Sequence, residues 1–181
     1  STALDVSSDW TRLPRMGFFS EYPEGIDADA LAAGLAKFHL NAIQFYDWKW
    51  THDRLVPTGD DGQPLNVFTQ VGGRVQSFAA VTAKVAAVQS RNMAALSYNL
   101  MYGDSGNAEP ERVEWAAFKT PNSTNLWDIR QHDAGSYKIW VMDASNPDWK
   151  KHIFGQFADA MDVAGFDGIH LDNLGGAWCY K

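Results

Sequence analysis

The sequence predicts an α/β protein whose core is a parallel sheet. Short apolar runs alternate with longer segments of helical period along the 181 residues, which is the pattern of βαβ units. Two long segments, 49–73 and 104–136, each follow a predicted strand. In a (β/α)8 TIM barrel the functional loops also follow the strands. Because the pattern holds about four βα units, we interpret residues 1–181 as one partial catalytic domain, half of such a barrel truncated after strand four, with a smaller open α/β domain as the alternative.

The first two predicted strands cover residues 16–22 and 41–48, and a helix connects them. Asp27 is placed to accept a hydrogen bond from the first turn of that helix. The apolar residues that repeat along it at helical spacing are Leu31, Leu35 and Phe38.

The next helix is predicted over 75–91, and a third strand over 94–103. One apolar stripe of this helix is formed by Val75, Phe78, Val81, Val85 and Val88.

The last third of the chain repeats the pattern of a helix followed by a strand. Residues 109–119 predict a short helix, and residues 138–143 predict another extended piece. A helix over 147–165 begins with a proline suited to a first turn and ends in a glycine suited to a C-cap, before a fourth strand over 168–174.

Composition argues against several classes of function. The net charge of −7 and a pI near 5.1 make a nucleic-acid surface a poor expectation, and no apolar stretch is long enough for a membrane span. The single cysteine, Cys179, allows neither an internal disulfide nor a thiolate cluster. The histidines show no paired metal-ligand spacing, and a phosphate loop and a G-x-S-x-G nucleophile elbow are both missing from the sequence. We therefore expect no metal and no cofactor.

The segment GFDGIHLDNLGG, residues 165–176, carries the strongest candidate for chemistry. Strand alternation places His170 and Asp172 on one face and the apolar residues between them on the other. A carboxylate at the end of a strand, just before two glycines, is placed to reach a substrate. Two alternatives remain open from pattern alone: Asp172 caps a following helix, and Asp167 only fixes the tight turn before the strand.

The ends of strands two and three carry a similar polar set, which we interpret as substrate-binding. Mixtures of amides, carboxylates and aromatic faces bind sugars, because ring hydroxyls need hydrogen bonds and ring C–H faces need apolar cover. The alternative is that these groups are buried and satisfied by the backbone. The candidates are Tyr46, Asp47, Trp48, Tyr98, Asn99 and Tyr102.

Several ordered segments resemble the catalytic domain of glycoside hydrolase family 66, the endo-dextranases and cycloisomaltooligosaccharide glucanotransferases. They include DWTRLPRMGFFSEY, FHLNAIQFYDWKWTHDRLVP, NMAALSYNLMYG and GFDGIHLDNLG, and together they extend over essentially the whole chain. The resemblance implies a (β/α)8 barrel that acts on α-1,6-glucan such as dextran by a retaining mechanism. It implies that Asp172 is the nucleophile, and that Tyr46, Asp47 and Asn99 hold the glucosyl unit, with His170 and Tyr98 as further candidates.

The resemblance also implies an acid/base glutamate downstream of this chain, because none of the glutamates present matches the family's motif. We therefore expect the isolated chain to be inactive on dextran, since loss of proton transfer commonly costs about 10² to 10⁴ in rate. Half a barrel is expected to pair with its missing half or with itself. A cyclising transglycosylase and a non-catalytic glucan-binding protein remain alternatives. A polymeric glucan implies a secreted, cell-surface or periplasmic location.

Overall fold

The computed structural model describes residues 7–105, 110, 112–121, 124–130 and 137–173. In chain order the strands are β1 (Met16–Phe19), β2 (Ala42–Phe45), β3 (Val67–Thr69), β4 (Val75–Ser77), β5 (Ala94–Leu100), β6 (Gly103–Ser105), β7 (Asp128–Arg130), β8 (Lys138–Val141) and β9 (Gly168–Asp172). The helices are α1 (Ala28–Ala36), α2 (Phe78–Gln89) and α3 (Pro147–Ala164), and two short 3-10 helices cover Trp10–Arg12 and Val113–Trp115.

A four-stranded sheet in the order β1-β2-β5-β9 forms the centre, and all of its strand pairs are parallel. Each new strand is therefore added at the same edge of the sheet. The predicted α/β architecture with a parallel sheet is confirmed. The first three predicted strands of this sheet end sooner than expected, at Phe19, Phe45 and Leu100, and after β2 and β5 the chain continues into inserted segments.

One face of the parallel sheet packs against all three helices. Its alternating residues, including Ile43, Phe45 and Ala95, belong to one buried cluster with residues of the helices. The opposite face carries no α-helix among the described residues: Ala42, Ala94 and Leu96 form a small separate cluster there against Trp10 of the first 3-10 helix. At β1 this second face is open to solvent, with Phe18 65% exposed.

The three helices differ in how well their packing was predicted. Asp27 caps α1 through the backbone N–H of Ala30, as expected, but the predicted stripe is only partly correct. Leu35 packs against the buried cluster, whereas Leu31 is exposed and Phe38 lies beyond the end of the helix and is 74% exposed. The buried residues of α1 are Ala28 and Ala32, whose small side chains allow close packing.

The start of α2 also differs from the prediction. Ser77 caps this helix through the N–H of Ala80, and the preceding Val75–Ser77 is strand β4, paired antiparallel with β3. Val75 is therefore exposed rather than part of the stripe, although Val81 and the later valines are buried. In α3, Asn146 caps the first turn and Pro147 begins the helix. Gly165 follows the last turn with φ 81°, so the predicted limits of α3 are confirmed.

Two insertions extend from the carboxyl ends of β2 and β5. The first contains the β3–β4 hairpin within the predicted 49–73 loop and just beyond it, and the second contains the antiparallel sheet β6-β8-β7. The predicted helix over 109–119 is wrong: within its described part only Val113–Trp115 forms a 3-10 turn, and Ala116 pairs with Met142. Residues 138–143 are extended as predicted, but β8 joins the antiparallel sheet.

The first insertion is hydrogen-bonded to α3. The side-chain oxygen of Gln156 accepts from the backbone N–H of Leu55 at 3.0 Å, and Nε2 of His152 donates to the carbonyl oxygen of Asp53 at 2.8 Å. These bonds fix the segment that follows β2 against the helix that precedes β9. The carboxyl ends of these two strands are thereby held in one arrangement.

Candidate active site

Polar side chains collect at the carboxyl ends of β2, β5 and β9. In the parallel register Tyr98 of β5 lies beside His170 of β9, and Leu100 lies beside Asp172. This register places Tyr98, His170 and Asp172 on the sheet face that the helices do not cover. The predicted alternation of β9 is therefore confirmed: Ile169 packs against the helix-side core.

Asp172 is partly exposed, and its carboxylate accepts several hydrogen bonds. The Tyr98 hydroxyl donates to Oδ2 at 2.8 Å, and the side-chain amide of Asn173 donates to the same oxygen at 3.1 Å. The backbone N–H of Asn173 donates to Oδ1 at 2.8 Å. Asn173 has φ 56° and was not among the site residues predicted from the sequence. A carboxylate oxygen has two lone pairs, and within the described ranges Oδ1 accepts this one hydrogen bond, which leaves a lone pair for a substrate.

Three tyrosines surround Asp172 and remain neutral. Burial raises the pKa of Tyr98, and its hydrogen bond to Asp172 and the charge of Asp172 raise that pKa further. The pKa values of Tyr46 and Tyr102 are also raised, first by burial and then by nearby carboxylate charge, to which Asp172 contributes in both cases. The Tyr46 and Tyr98 rings are 4.6 Å apart between centroids. Neutral phenols donate hydrogen bonds, so this cluster can hold both the carboxylate and a polyhydroxylated ligand.

Asp47 lies in a tight turn after β2, with φ 51°, and is held by two cations. Nη2 of Arg74 lies 2.9 Å from its Oδ2, and Nζ of Lys49 lies 3.4 Å from its Oδ1. The side chain of Gln76 also donates to its backbone oxygen at 2.7 Å. Sequence reasoning missed both cations. The D-x-K spacing at residues 47–49 was a signal for Lys49, whereas Arg74 comes from the distant β3–β4 hairpin and left none.

Trp48 does not belong to this surface, which corrects the prediction that it binds substrate. It is 0% exposed, its Nε1 donates to the Ser97 hydroxyl at 2.9 Å, and its ring packs 4.7 Å from that of Phe166. Because the chain turns sharply at Asp47, the next side chain points back into the helix-side core.

Asn99 is also placed differently from its prediction. It lies beside Leu171 in the register, on the face that packs against the helices, and it is fully buried. Among the described residues, neither atom of its side-chain amide has a hydrogen-bond partner. The structure therefore does not bring Asn99 to the face that carries Asp172. In the described residues its amide is not hydrogen-bonded to the backbone either, which was the alternative interpretation.

The remaining histidine and aspartate of the β9 segment have distinct environments. The ring of His170 lies 6.1 Å from that of Tyr98, and its buried Nδ1 has no hydrogen-bond partner within the described part of the chain. Asp167 lies at the opposite end of β9, where Oδ2 accepts from the N–H of Ala95 at 2.8 Å and Oδ1 accepts from Gln89 at 3.1 Å. These bonds support the turn-fixing interpretation of Asp167.

In the described part of the chain, no group of three or more His, Cys, Asp or Glu side chains is arranged to hold a metal ion. None of its helices combines the length and apolar character needed to cross a membrane.

Comparison with known proteins identifies the family. The model of the family described as Glycosyl hydrolase family 66 matches residues 1–180. A cycloisomaltooligosaccharide glucanotransferase of Niallia circulans is 34% identical over 97% of this chain, and a dextranase of Streptococcus salivarius is 30% identical over 95% of it. A solved cycloisomaltooligosaccharide glucanotransferase from a Paenibacillus species, complexed with cycloisomaltoheptaose, superposes with a TM-score of 0.86 at 31% identity over 96% of this chain.

This chain spans only 18% and 22% of the length of the two sequence relatives, and 25% of the solved chain. The family match nevertheless covers nearly all of the sequence, and the resemblance predicted from its ordered segments is confirmed. The chain belongs to glycosyl hydrolase family 66.

Proposed function

We propose that this chain is part of a retaining endo-dextranase that hydrolyses α-1,6-glucosidic linkages through a covalent glycosyl-enzyme on Asp172. The observation that carries the proposal is the placement of Asp172. It lies at the carboxyl end of β9, partly exposed on the face without helices, and is oriented by Tyr98 and Asn173. The names of the relatives, a dextranase and two glucanotransferases of isomaltooligosaccharides, support an α-1,6-glucan as the substrate.

The reaction proceeds in two displacements. In the first, a carboxylate oxygen of Asp172 bonds to the anomeric carbon, the bond from that carbon to the O6 oxygen of the next sugar breaks, and that oxygen takes a proton from a general acid. In the second, water attacks the anomeric carbon and gives a proton to the same residue acting as base. The Asp172 carboxylate is then released.

The general acid is proposed to be a glutamate outside this chain. Asp47 is the other carboxylate whose charge acts on Tyr98 together with that of Asp172. Its two oxygens form ion pairs with Lys49 and Arg74, so we assign Asp47 to binding these two cations and not to proton transfer. The isolated chain should therefore cleave dextran negligibly.

The sheet also supports a closed (β/α)8 barrel as the complete catalytic domain. The strands follow one another in chain order, the helices lie on one face, and the other face exposes Met16 and Phe18. The two sheet edges, at β1 and β9, have no strand partner in the described part of the chain. We propose that the rest of the barrel covers them. Light scattering should then find the isolated chain self-associated or paired with the remaining polypeptide, and a monodisperse monomer would contradict this.

The nucleophile is tested in the full-length protein with two matched variants. Asp172→Asn removes the charge that attacks the anomeric carbon, and Asp167→Asn alters the other aspartate of the same segment, which bonds only to Ala95 and Gln89 in the described structure. We expect the Asp172 variant to lose turnover on dextran and the Asp167 variant to keep it. Rapid denaturation during turnover followed by peptide mass analysis should find the glycosyl adduct on Asp172. An adduct on another residue would overturn the proposal.

The cyclising transglycosylase is the second candidate, and two of the reported relatives carry that name. It shares the glycosyl-enzyme but resolves it with a sugar hydroxyl in place of water. Product analysis on dextran separates the two, since linear oligosaccharides indicate hydrolysis and cyclic ones indicate transfer. A non-catalytic glucan-binding protein would show no turnover in the wild type and unchanged affinity in Asp172→Asn. A location outside the cytoplasm is proposed, because a polymeric glucan is met there.

A further inference from the structure

Lys49 is a buried cation that lies between Asp47 and the ring of Tyr98. Its side chain is 2% exposed, and its Nζ lies 3.4 Å from Oδ1 of Asp47 and 4.5 Å from the centroid of the Tyr98 ring. The hydroxyl of that ring donates to Asp172 at 2.8 Å. One ammonium group is thus connected to the proposed nucleophile through a single aromatic side chain.

We propose that Lys49 is a positioning residue for Asp172: its charge fixes the Tyr98 ring, and the ring in turn fixes the hydroxyl that orients the carboxylate. The inference rests on the proposed function of Asp172. Because Lys49 is buried, it acts through Tyr98 rather than by touching the substrate. The attraction of an ammonium group to an aromatic face grows when water is excluded, so burial strengthens this contact.

The energetic disadvantage of the buried charge indicates that the charge itself has a role. Burial lowers the pKa of Lys49 to about 8, although the charge and hydrogen bond of Asp47 oppose this change. An apolar side chain of similar length would fill the same space without that penalty. A lysine retained only for packing would therefore be a costly choice at this position.

The charged and titratable groups around Lys49 come from several elements. The two whose pKa values are shifted, His52 and Tyr98, do not change charge in the pH range where Lys49 does. The groups are Asp47 after β2, His52 in the first insertion, Arg74 before β4, Tyr98 of β5 and Asp172 of β9. The pKa of His52 is lowered well below its usual value by burial and by the Lys49 charge. The pKa of Tyr98 is raised. Neither His52 nor Tyr98 therefore changes charge near pH 8.

The test compares kcat on dextran for the full-length wild type, Lys49→Met and Lys49→Arg from about pH 6 to about pH 9.5. We expect Lys49→Met to lower kcat about tenfold below pH 8, with KM changed less, because the variant loses the buried cation–π contact that holds the Tyr98 ring; tenfold corresponds to about 1.4 kcal/mol. The ratio of wild-type to Lys49→Met activity should then fall toward one as the wild type loses its own charge above about pH 8. Taking this ratio cancels the titration of the general acid, which both proteins share.

Lys49→Arg supplies the rescue, because arginine stays charged throughout this range. It should recover most of the activity, and its ratio to the wild type should rise through pH 8. This measurement remains decisive where Lys49→Met does not fold. Lys84→Met is the matched control: the pKa of Lys84 is also lowered to about 8 by burial, but its Nζ packs on Phe19 and Tyr22 instead of Tyr98. Its activity ratio should not change with pH.

A pH-independent ratio for Lys49→Met, or no rescue by arginine, would overturn the positioning role. Failure of the proposed function is detected separately. In that case the wild type does not cleave dextran, or Asp172→Asn retains turnover. A protein that passes those two checks and shows a flat Lys49→Met ratio keeps its proposed function and refutes only the role of Lys49.

Discussion

Lys84 makes the stability of the fold depend on pH in a direction that can be measured. This residue of α2 is 2% exposed, its Nζ donates to the carbonyl oxygen of Glu21, and it lies 4.4 Å from the centroid of the Phe19 ring and 4.7 Å from that of Tyr22. Burial lowers the pKa of Lys84 from 10.5 to about 8, and the charge of Glu21 opposes this only in part. The folded chain therefore releases the proton of Lys84 earlier than the unfolded chain does.

The sign and size of the effect follow from proton linkage. Between about pH 8 and the unfolded pKa, the unfolded chain holds a proton that the folded chain has lost, so the free energy of unfolding rises with pH. At about 1.4 kcal/mol per pH unit, Lys84 adds about 2 kcal/mol between about pH 7.5 and about pH 9.5. Lys49 acts in the same direction. The raised pKa of Tyr22 acts in the opposite direction only above pH 10, so the window stays below that value.

Urea unfolding of the full-length wild type and Lys84→Met, followed by circular dichroism at several pH values in this window, measures the difference. We expect the variant to gain about 2 kcal/mol less than the wild type across the window, because methionine has no proton to release. Lys151→Met, on an exposed position of α3, is the control and should retain the wild-type slope. Parallel curves for the wild type and Lys84→Met would refute the reasoning.

Four further variants test individual placements. Asp167→Ala removes the acceptor of the Ala95 N–H and should lower the free energy of unfolding by about 1–3 kcal/mol in urea, with kcat unchanged; a loss of kcat would contradict its structural role. Trp48→Phe leaves the Ser97 hydroxyl without its donor and should cost about 1–3 kcal/mol, with KM for dextran unchanged, whereas a raised KM would place Trp48 at the substrate. Val75→Ala, at an exposed position, should change the free energy of unfolding by less than about 0.5 kcal/mol. Val81→Ala, at a buried position, should lower it by about 1–3 kcal/mol. Equal effects would mean that Val75 belongs to the buried stripe of α2 after all.

The elements that sequence reasoning predicted well are those whose limits are set locally. The start and end of α3 depend on Asn146, Pro147 and Gly165, all within one turn of the helix ends. The stripe of α1 was predicted only in part, because periodicity finds apolar spacing but not which of these residues meet the core. Leu35 packs against the buried cluster, but Ala28 and Ala32 are the residues that α1 buries in it.

In the candidate site, too, the side chains whose placement depends on local structure were predicted better than those whose placement depends on the rest of the fold. Alternation predicted the face of His170 and Asp172 because β9 continues as regular strand through Asp172. It failed for Trp48 because β2 ends at Phe45, and Asp47 at φ 51° reverses the direction of the next side chain. For Asn99 the strand is regular, but alternation itself assigns the residue to the helix side once Tyr98 is known to face Asp172.

Of the two cations beside Asp47, Arg74 could not be predicted from the sequence, and both change the chemistry of the site. Arg74 reaches Asp47 only because the β3–β4 hairpin returns to the end of β2. An acidic chain thus concentrates positive charge beside Asp47, while Asp172 receives its hydrogen bonds from neutral donors, Tyr98 and Asn173. The surroundings of the two carboxylates therefore differ: Asp47 is paired with two cations, whereas the described donors to Asp172 are neutral, which fits the nucleophile role proposed for it.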